Sequence, residues 1–562
     1  MDRRATLATL TGRKRAGATT TTQTSTKSIL GLNRQQTGLE PYAGPWEFAQ
    51  ATHLLRRCTF GPTYAQMKQA TADGLDTTIN NLFAELPLPS PPLNYYFEED
   101  PNVPVGESWV DAPYSDTDNF AQYRRRSLFG WTVGQILNEG ISLREKMTLF
   151  WNNHFAISEV DDPKFILQYT NLYRTYAWGN FRDLVKEMTI NPAMLRFLNG
   201  NQNTKNAPNE NFARELLELF TIGKGPLAGP GDYTNYTEQD VVAMAKVLTG
   251  WRDRGYYAVD PMVTQEAFFR PNQHDTSAKQ LSPRFDNLVI NDMGEQEYSH
   301  LIDVIFGKAE VARFISRKLY RWFVYYDIDE EAETEVIQPM AQMLIDNGYE
   351  IQPVLEALLR SNHFFDILNQ GPMIKNPIDF AFSLFKQLEV DIPEEPLGAK
   401  YEVWLRTINL VNLMEMAYYF PPSVSGWKAY YQEPLFYRTW INATTLQVRM
   451  GFTSRMASNG YNFGDNRILI KPLEFITTLD NPTEINDLLD ELVKILFPQP
   501  ISDSQKAALK EFVIPGLPDF EWNAEYSQYL SNPDDSDLAD AIETKLRSLF
   551  NAMLSMPEFY LS

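Results

Sequence analysis

One cysteine and five histidines are all that 562 residues offer of the side chains that form disulfides or bind soft metals. The lone Cys58 excludes an intrachain disulfide and any multi-cysteine zinc site. It ends the apolar helical pattern His53-Leu54-Leu55-Arg56-Arg57-Cys58, which marks it as a plain buried thiol. Apolar runs are short, well below the roughly 18 residues needed to cross a bilayer, so no transmembrane helix is expected. HExxH, the phosphate loop and the GxSxG nucleophile elbow are missing. The glycines from Gly223 to Gly231 lack the Lys-Ser/Thr pair that grips a nucleotide, and read as a helix stop and loop.

Basic residues are scarce as well: 50 Lys and Arg face 72 Asp and Glu, a net charge of −22. The first 34 residues nevertheless hold seven Lys or Arg against one Asp, so the remainder carries −28. A field of that sign repels nucleic-acid backbones and attracts cations, which removes nucleic acid from the expected partners. Arg3-Arg4 precedes a short Ala-Thr-Leu stretch that Arg13-Lys14-Arg15 ends, too short and too polar for a signal peptide.

Aromatic and apolar residues are plentiful, at 13% and 43%. A chain of this length buries roughly three quarters of its unfolded surface. Residues 1–44, basic and then Thr-rich, read as a flexible tail. Helical periodicity starts near Pro45 and returns over 143–157, 309–324, 332–346, 351–361 and 375–388. Thr237-Glu238-Gln239-Asp240 reads as a capping-box start. Pro-rich 86–115 reads as a long loop, 257–300 as short strands or loops, and 420–440 as a Pro-Gly-Trp loop. The expectation is a mainly α, multi-helical globular body with long loops and at most a few short strands. Residues 45–455 would form a main helical domain, with 456–562 a C-terminal helical subdomain packed on it.

Three clusters could carry chemistry. In Asn209-Glu210-Asn211-Phe212-Ala213-Arg214-Glu215-Leu216-Leu217-Glu218, the residues Glu210, Arg214 and Glu218 share one helix face, so Arg214 can pair with either carboxylate. Glu215 lies at the border with the core, where burial raises a carboxylate pKa for acid–base work or metal binding. A solvated ion-pair ladder is the plainer account of the same spacing. In Phe150-Trp151-Asn152-Asn153-His154-Phe155, His154 continues the apolar stripe and must face inward, as a satisfied core imidazole, a ligand or a proton carrier. His53 is a similar case, and Asp275 stands beside His274, able to orient it or else exposed with it. The third cluster is Pro421-Pro422-Ser423-Val424-Ser425-Gly426-Trp427, followed by Trp440 and Arg449, which could line a pocket or simply pack.

These segments, in this order, resemble the bacterial family named domain of unknown function 1800. The likeness also rests on Phe60-Gly61-Pro62-Thr63, Leu248-Thr249-Gly250-Trp251, His274-Asp275 with Lys279, Trp440-Ile441-Asn442 and Met556-Pro557-Glu558-Phe559, over about residues 46–562. Asn152 stands where the family commonly has a histidine, and a glycine expected shortly after Lys279 is missing. The resemblance implies no established activity. It implies export, often by a twin-arginine signal, and a neighbouring protein resembling sulfatases and alkaline phosphatases as partner. The periplasm or cell envelope follows, while the incomplete signal leaves the cytoplasm open.

Two functional readings stand. In one, His154, Glu210, Arg214 and Glu215 act as catalytic groups in a pocket for hydrolytic or divalent-metal-assisted chemistry, with no metal ligand assigned. His53, Asn153, Asn209, Glu218, Trp251, His274, Asp275 and Trp427 would then contribute to binding. In the other, the same polar residues form a buried network that fixes helix packing in a structural or assembly protein.

Overall fold

A computed structural model describes residues 38–562 apart from 230–231, 431–435 and 464–465. The basic tail expected at 1–44 thus lies mostly outside the described residues. The chain is 56% helical, with only a few short antiparallel strand pairs, as a mainly α body requires. Among the described residues no helix is long and apolar enough to cross a membrane.

Local chemistry sets many helix starts. Thr63 and Gln66 close a capping box on Tyr64–Leu82, and Thr237 and Asp240 close another on Glu238–Val247. Asp162 caps Pro163–Thr175 by accepting the Lys164 amide, with Pro163 supplying the fixed φ of a first helical turn. Ala309–Phe323 buries Val311, Ile315, Leu319, Trp322 and Phe323 along one stripe.

The helix Arg144–His154 is deeply enclosed. Every residue from Glu145 to His154 is buried, although five of them are charged, amide or imidazole side chains. Each of these finds a partner from a remote segment. Glu145 takes a bidentate ion pair from Arg174 at 2.7 and 2.8 Å, and Lys146 reaches Asp379 at 2.5 Å. Asn152 donates to the Tyr418 carbonyl at 2.5 Å, and the Asn153 side-chain oxygen accepts the Trp427 amide at 3.0 Å. Burying such groups is tolerable only because the pairs are complete.

The segment read as irregular, 257–300, contains one small antiparallel ribbon and one strand of another. Trp251–Arg254 pairs with Glu266–Phe269, and Lys279–Gln280 with Val289–Ile290. Pro-rich 86–115 forms no helix; buried Asn94 ties it together by donating to the Asp100 and Val103 carbonyls. Towards the C-terminus, Ser536–Ser555 packs on Ala443–Ala457 and Pro472–Ile476, and Ile485–Leu496 packs on Phe48–Cys58. One continuous hydrophobic cluster runs from Ala51 to Tyr560.

Candidate functional site

The acid-rich segment is two helical pieces in series. Asn209 caps Glu210–Glu215 by accepting the Phe212 amide at 3.1 Å, and its own amide group donates to Leu198. The backbone then widens into a π-helical turn at Leu216–Thr221, where the Ile222 amide bonds back to Leu217. Beside this turn the Leu219 and Phe220 carbonyls accept side-chain donors from neighbouring helices. His154 Nε2 bonds Phe220 O at 3.1 Å, and Lys318 Nζ bonds Leu219 O at 3.3 Å.

These contacts fix the imidazole. A carbonyl can only accept, so Nε2 carries the ring proton and Nδ1 is left bare. Lys318 Nζ lies 3.0 Å from Nδ1 and donates to it. Burial, then the Lys318 charge, holds the His154 pKa well below the ordinary histidine value, against a smaller opposing effect of the Phe220 carbonyl. Burial, then the Arg321 charge, lowers Lys318 to about 7. The Lys318 side chain is partly exposed, yet packed atoms enclose its amine. The pair lines a cavity of about 250 Å³ together with Asn153, Glu218, Phe314 and Arg321.

The expected groups are thus only partly assembled. His154, Asn153 and Glu218 share this cavity. Glu210, Arg214 and Glu215 are not on its wall. Glu210 is exposed, and Arg214 pairs with neither carboxylate of its own helix. It makes a bidentate ion pair with Glu238 at 2.6 and 2.7 Å, because Glu238–Val247 packs alongside. Glu215 is half-buried, and burial with the nearby Glu218 charge raises its pKa. Glu218 accepts the Tyr236 hydroxyl at 2.9 Å.

Asn153 joins two of the sequence clusters. Gly426, at φ +85°, lies so close that a Cβ there would stand 2.2 Å from the Asn153 side-chain oxygen. Trp427 is buried behind this contact. His53 stands apart, bonded to the Phe364 carbonyl at 3.1 Å and packed on its ring. Trp251 is buried against Phe269 and Tyr298.

His274 forms a second polar centre, and its orienting carboxylate is not Asp275. Asp275 accepts from Ser277, while Glu297, fully buried, receives His274 Nε2 at 3.0 Å. The Thr249 carbonyl bonds Nδ1 at 2.9 Å. Burial disfavours the charged ring, but the bonds to Glu297 and Thr249 outweigh it and raise the pKa. His274, Asp292 and Glu297 are the one grouping of such side chains, among the described residues, close enough to share an ion. Lys279 Nζ, however, sits 2.6 Å from Glu297, where it supplies the positive charge a metal would bring. The donor set reads as an ion-pair network rather than a metal cage. Cys58 is fully buried, and burial pushes its thiol pKa up, away from reactivity.

Lys318, Glu297 and the role of Lys279 escaped the sequence reading. Phe314, Lys318 and Trp322 follow at intervals of four, which sets the lysine between two aromatics on one helix face. That signal was readable. Glu297 had no comparable local sign.

The family model described as "Protein of unknown function (DUF1800)" matches residues 53–561, nearly the whole chain, and the chain belongs to that family. No curated protein and no solved structure matches it.

Proposed function

We propose that this DUF1800 protein is an enzyme whose cavity at His154 performs hydrolytic chemistry on a small polar substrate, with Lys318 moving the proton. The observation that carries this is the Lys318 amine, enclosed beside a 250 Å³ cavity and bonded to the bare Nδ1 of an imidazole whose one proton, on Nε2, is committed to the Phe220 carbonyl. An amine near pKa 7 is half-neutral at physiological pH, where a general base works best. His154 holds the amine in place, and Glu218 and Arg321 border the space a substrate would fill. Glu215, with its raised pKa, is the adjoining acid. A metal-assisted version finds less support at this cavity, because both His154 nitrogens are already engaged. Residence in the cell envelope and a partner resembling sulfatases and alkaline phosphatases belong to the same proposal and rest on the family resemblance.

The packing-network alternative draws on completed contacts elsewhere: the Asn209 cap, the Arg214–Glu238 pair and the His53–Phe364 bond. The two readings separate on lysine reactivity. Competitive labelling with trace acetic anhydride from pH 5 to 9, read by peptide mass spectrometry, should acetylate Lys318 with a midpoint near its pKa of about 7. His154→Gln should displace that midpoint. A Lys318 rate that follows ordinary surface lysines, still climbing at the alkaline end, would defeat the proton-transfer role.

A further inference from the structure

On the other side of Arg321, Trp322 and Tyr430, which line both spaces, lies a narrower cavity of about 40 Å³. Arg56, Arg57 and Lys146 reach its wall, and among the wall's described residues Asp379 is the one acidic side chain. Lys375 follows the wall residue Ile374, and Arg449 bonds the Lys375 carbonyl at 3.0 Å. In a chain of net charge −22 this concentration of cations runs against the overall field.

Arg56, Arg57, Lys375 and Arg449 are all at least nine-tenths buried. Their hydrogen bonding is incomplete. Arg56 spends one terminal nitrogen on the Lys494 and Ile495 carbonyls, and Arg57 spends one on Asn369. Arg56 Nε, both Nε and Nη1 of Arg57 and of Arg449, and Lys375 Nζ have no hydrogen-bond partner among the described residues, although Lys375 stacks over the Phe559 ring and Arg449 over the Phe380 ring. Asp379 is already engaged by Lys146 and Asn376. A buried cationic donor left without a hydrogen bond is costly. On the wall itself such donors belong to Arg56 and Arg57, while Lys375, which feels the charges of Arg56 and Arg449, adjoins the lining, and together they call for an anion. Arginine forks supply planar pairs of donors suited to phosphate oxygens.

We propose that the wall residues Arg56 and Arg57, with Lys375 and Arg449 adjoining them, form a binding site for a phosphate group, either inorganic phosphate or the phosphoryl end of a small monoester. The small volume admits the charged group itself, and Trp322 and Tyr430 form the wall along which an attached organic portion would lie. The site involves none of His154, Lys318 or Glu218 and stands whether or not those residues move protons. Burial, with the charges of Arg56 and Arg449, holds Lys375 well below the usual lysine range, so anion binding draws a proton onto it.

Isothermal titration of the full chain with inorganic phosphate and, separately, glycerol phosphate tests this, with chloride at equal ionic strength as control. Saturable binding of either phosphate is expected, with proton uptake seen as a difference between buffers of unlike ionisation heat. Arg57→Met and Lys375→Met should each weaken binding at least tenfold, and Lys375→Met should abolish the proton uptake. Binding of glycerol phosphate alone identifies the ligand as a phosphorylated molecule; binding of both equally identifies the free ion. No heat beyond the chloride control with either phosphate overturns the proposal, and so does binding that both variants leave unchanged. Should either variant fold poorly, the proton uptake of the unmodified protein still decides.

Discussion

Gly426→Ala adds one methyl group at the point where two remote segments meet, and its cost follows from the geometry. Residue 426 has φ +85°, a region that costs an L-residue roughly 1–2 kcal/mol. The new Cβ would stand 2.2 Å from the Asn153 side-chain oxygen and 2.5 Å from its backbone oxygen. The side chain can rotate away only by releasing the Trp427 amide, whose 3.0 Å bond is buried, and orphaning that group costs about 1–3 kcal/mol. The backbone oxygen belongs to an enclosed helix and has nowhere to go. Together these give a destabilisation of about 2–5 kcal/mol, which at this chain length lowers the thermal midpoint by roughly 1 °C per kcal/mol. Differential scanning calorimetry provides the assay. Gly451→Ala is the matched control, since it is exposed in a helix with nothing within 4 Å of the added carbon. It should be neutral or stabilising by up to about 1 kcal/mol. Equal midpoints for the two variants would refute the account of the Asn153–Gly426 contact.

Two further outcomes follow from the titrating groups. The folded Lys318 pKa, about 7, lies below its unfolded value, so the cost of keeping the amine neutral begins as pH falls through the ordinary lysine range and is complete below about 7. Lys318→Met should therefore gain stability relative to the unmodified protein between pH 9 and 7, by about 1 kcal/mol once water in the cavity is allowed for; a gap independent of pH in paired thermal scans would contradict the depressed pKa. His274 has a raised pKa, so its ion pair with Glu297 contributes fully below the unfolded histidine value and is lost as pH rises through the folded one. Glu297→Gln should cost about 3–5 kcal/mol by stranding buried Lys279, with the deficit largest at acid pH, and denaturation midpoints at pH 5.5 and 8.5 that show no such difference would remove His274 from the network.

Much of the helical plan was legible from spacing and caps. The stripe Val311–Ile315–Leu319–Trp322 and the Thr237–Asp240 box both appear as read, because each depends on neighbours within a few residues. The inward direction of His154 was legible for the same reason. Arg214 was not: its i±4 carboxylates lie on its own helix, but Glu238 from the next one offers both oxygens to the guanidinium. The partner of His274 was hidden likewise, since Glu297 arrives across two short ribbons whose pairing no local pattern announces. Sequence spacing shows which residues share a face; it does not show what the fold lays against that face.

The enclosed helix Arg144–His154 has a bearing on how the molecule is made. Its side chains await Arg174, Asp379, Tyr418 and Trp427, and the last of these is nearly three hundred residues further along the chain. On the ribosome this segment emerges early, with its charges and amides still in water, and it cannot be sealed until most of the polypeptide has followed. Its final burial is therefore an event near the end of synthesis, and protease resistance around it should appear late and all at once.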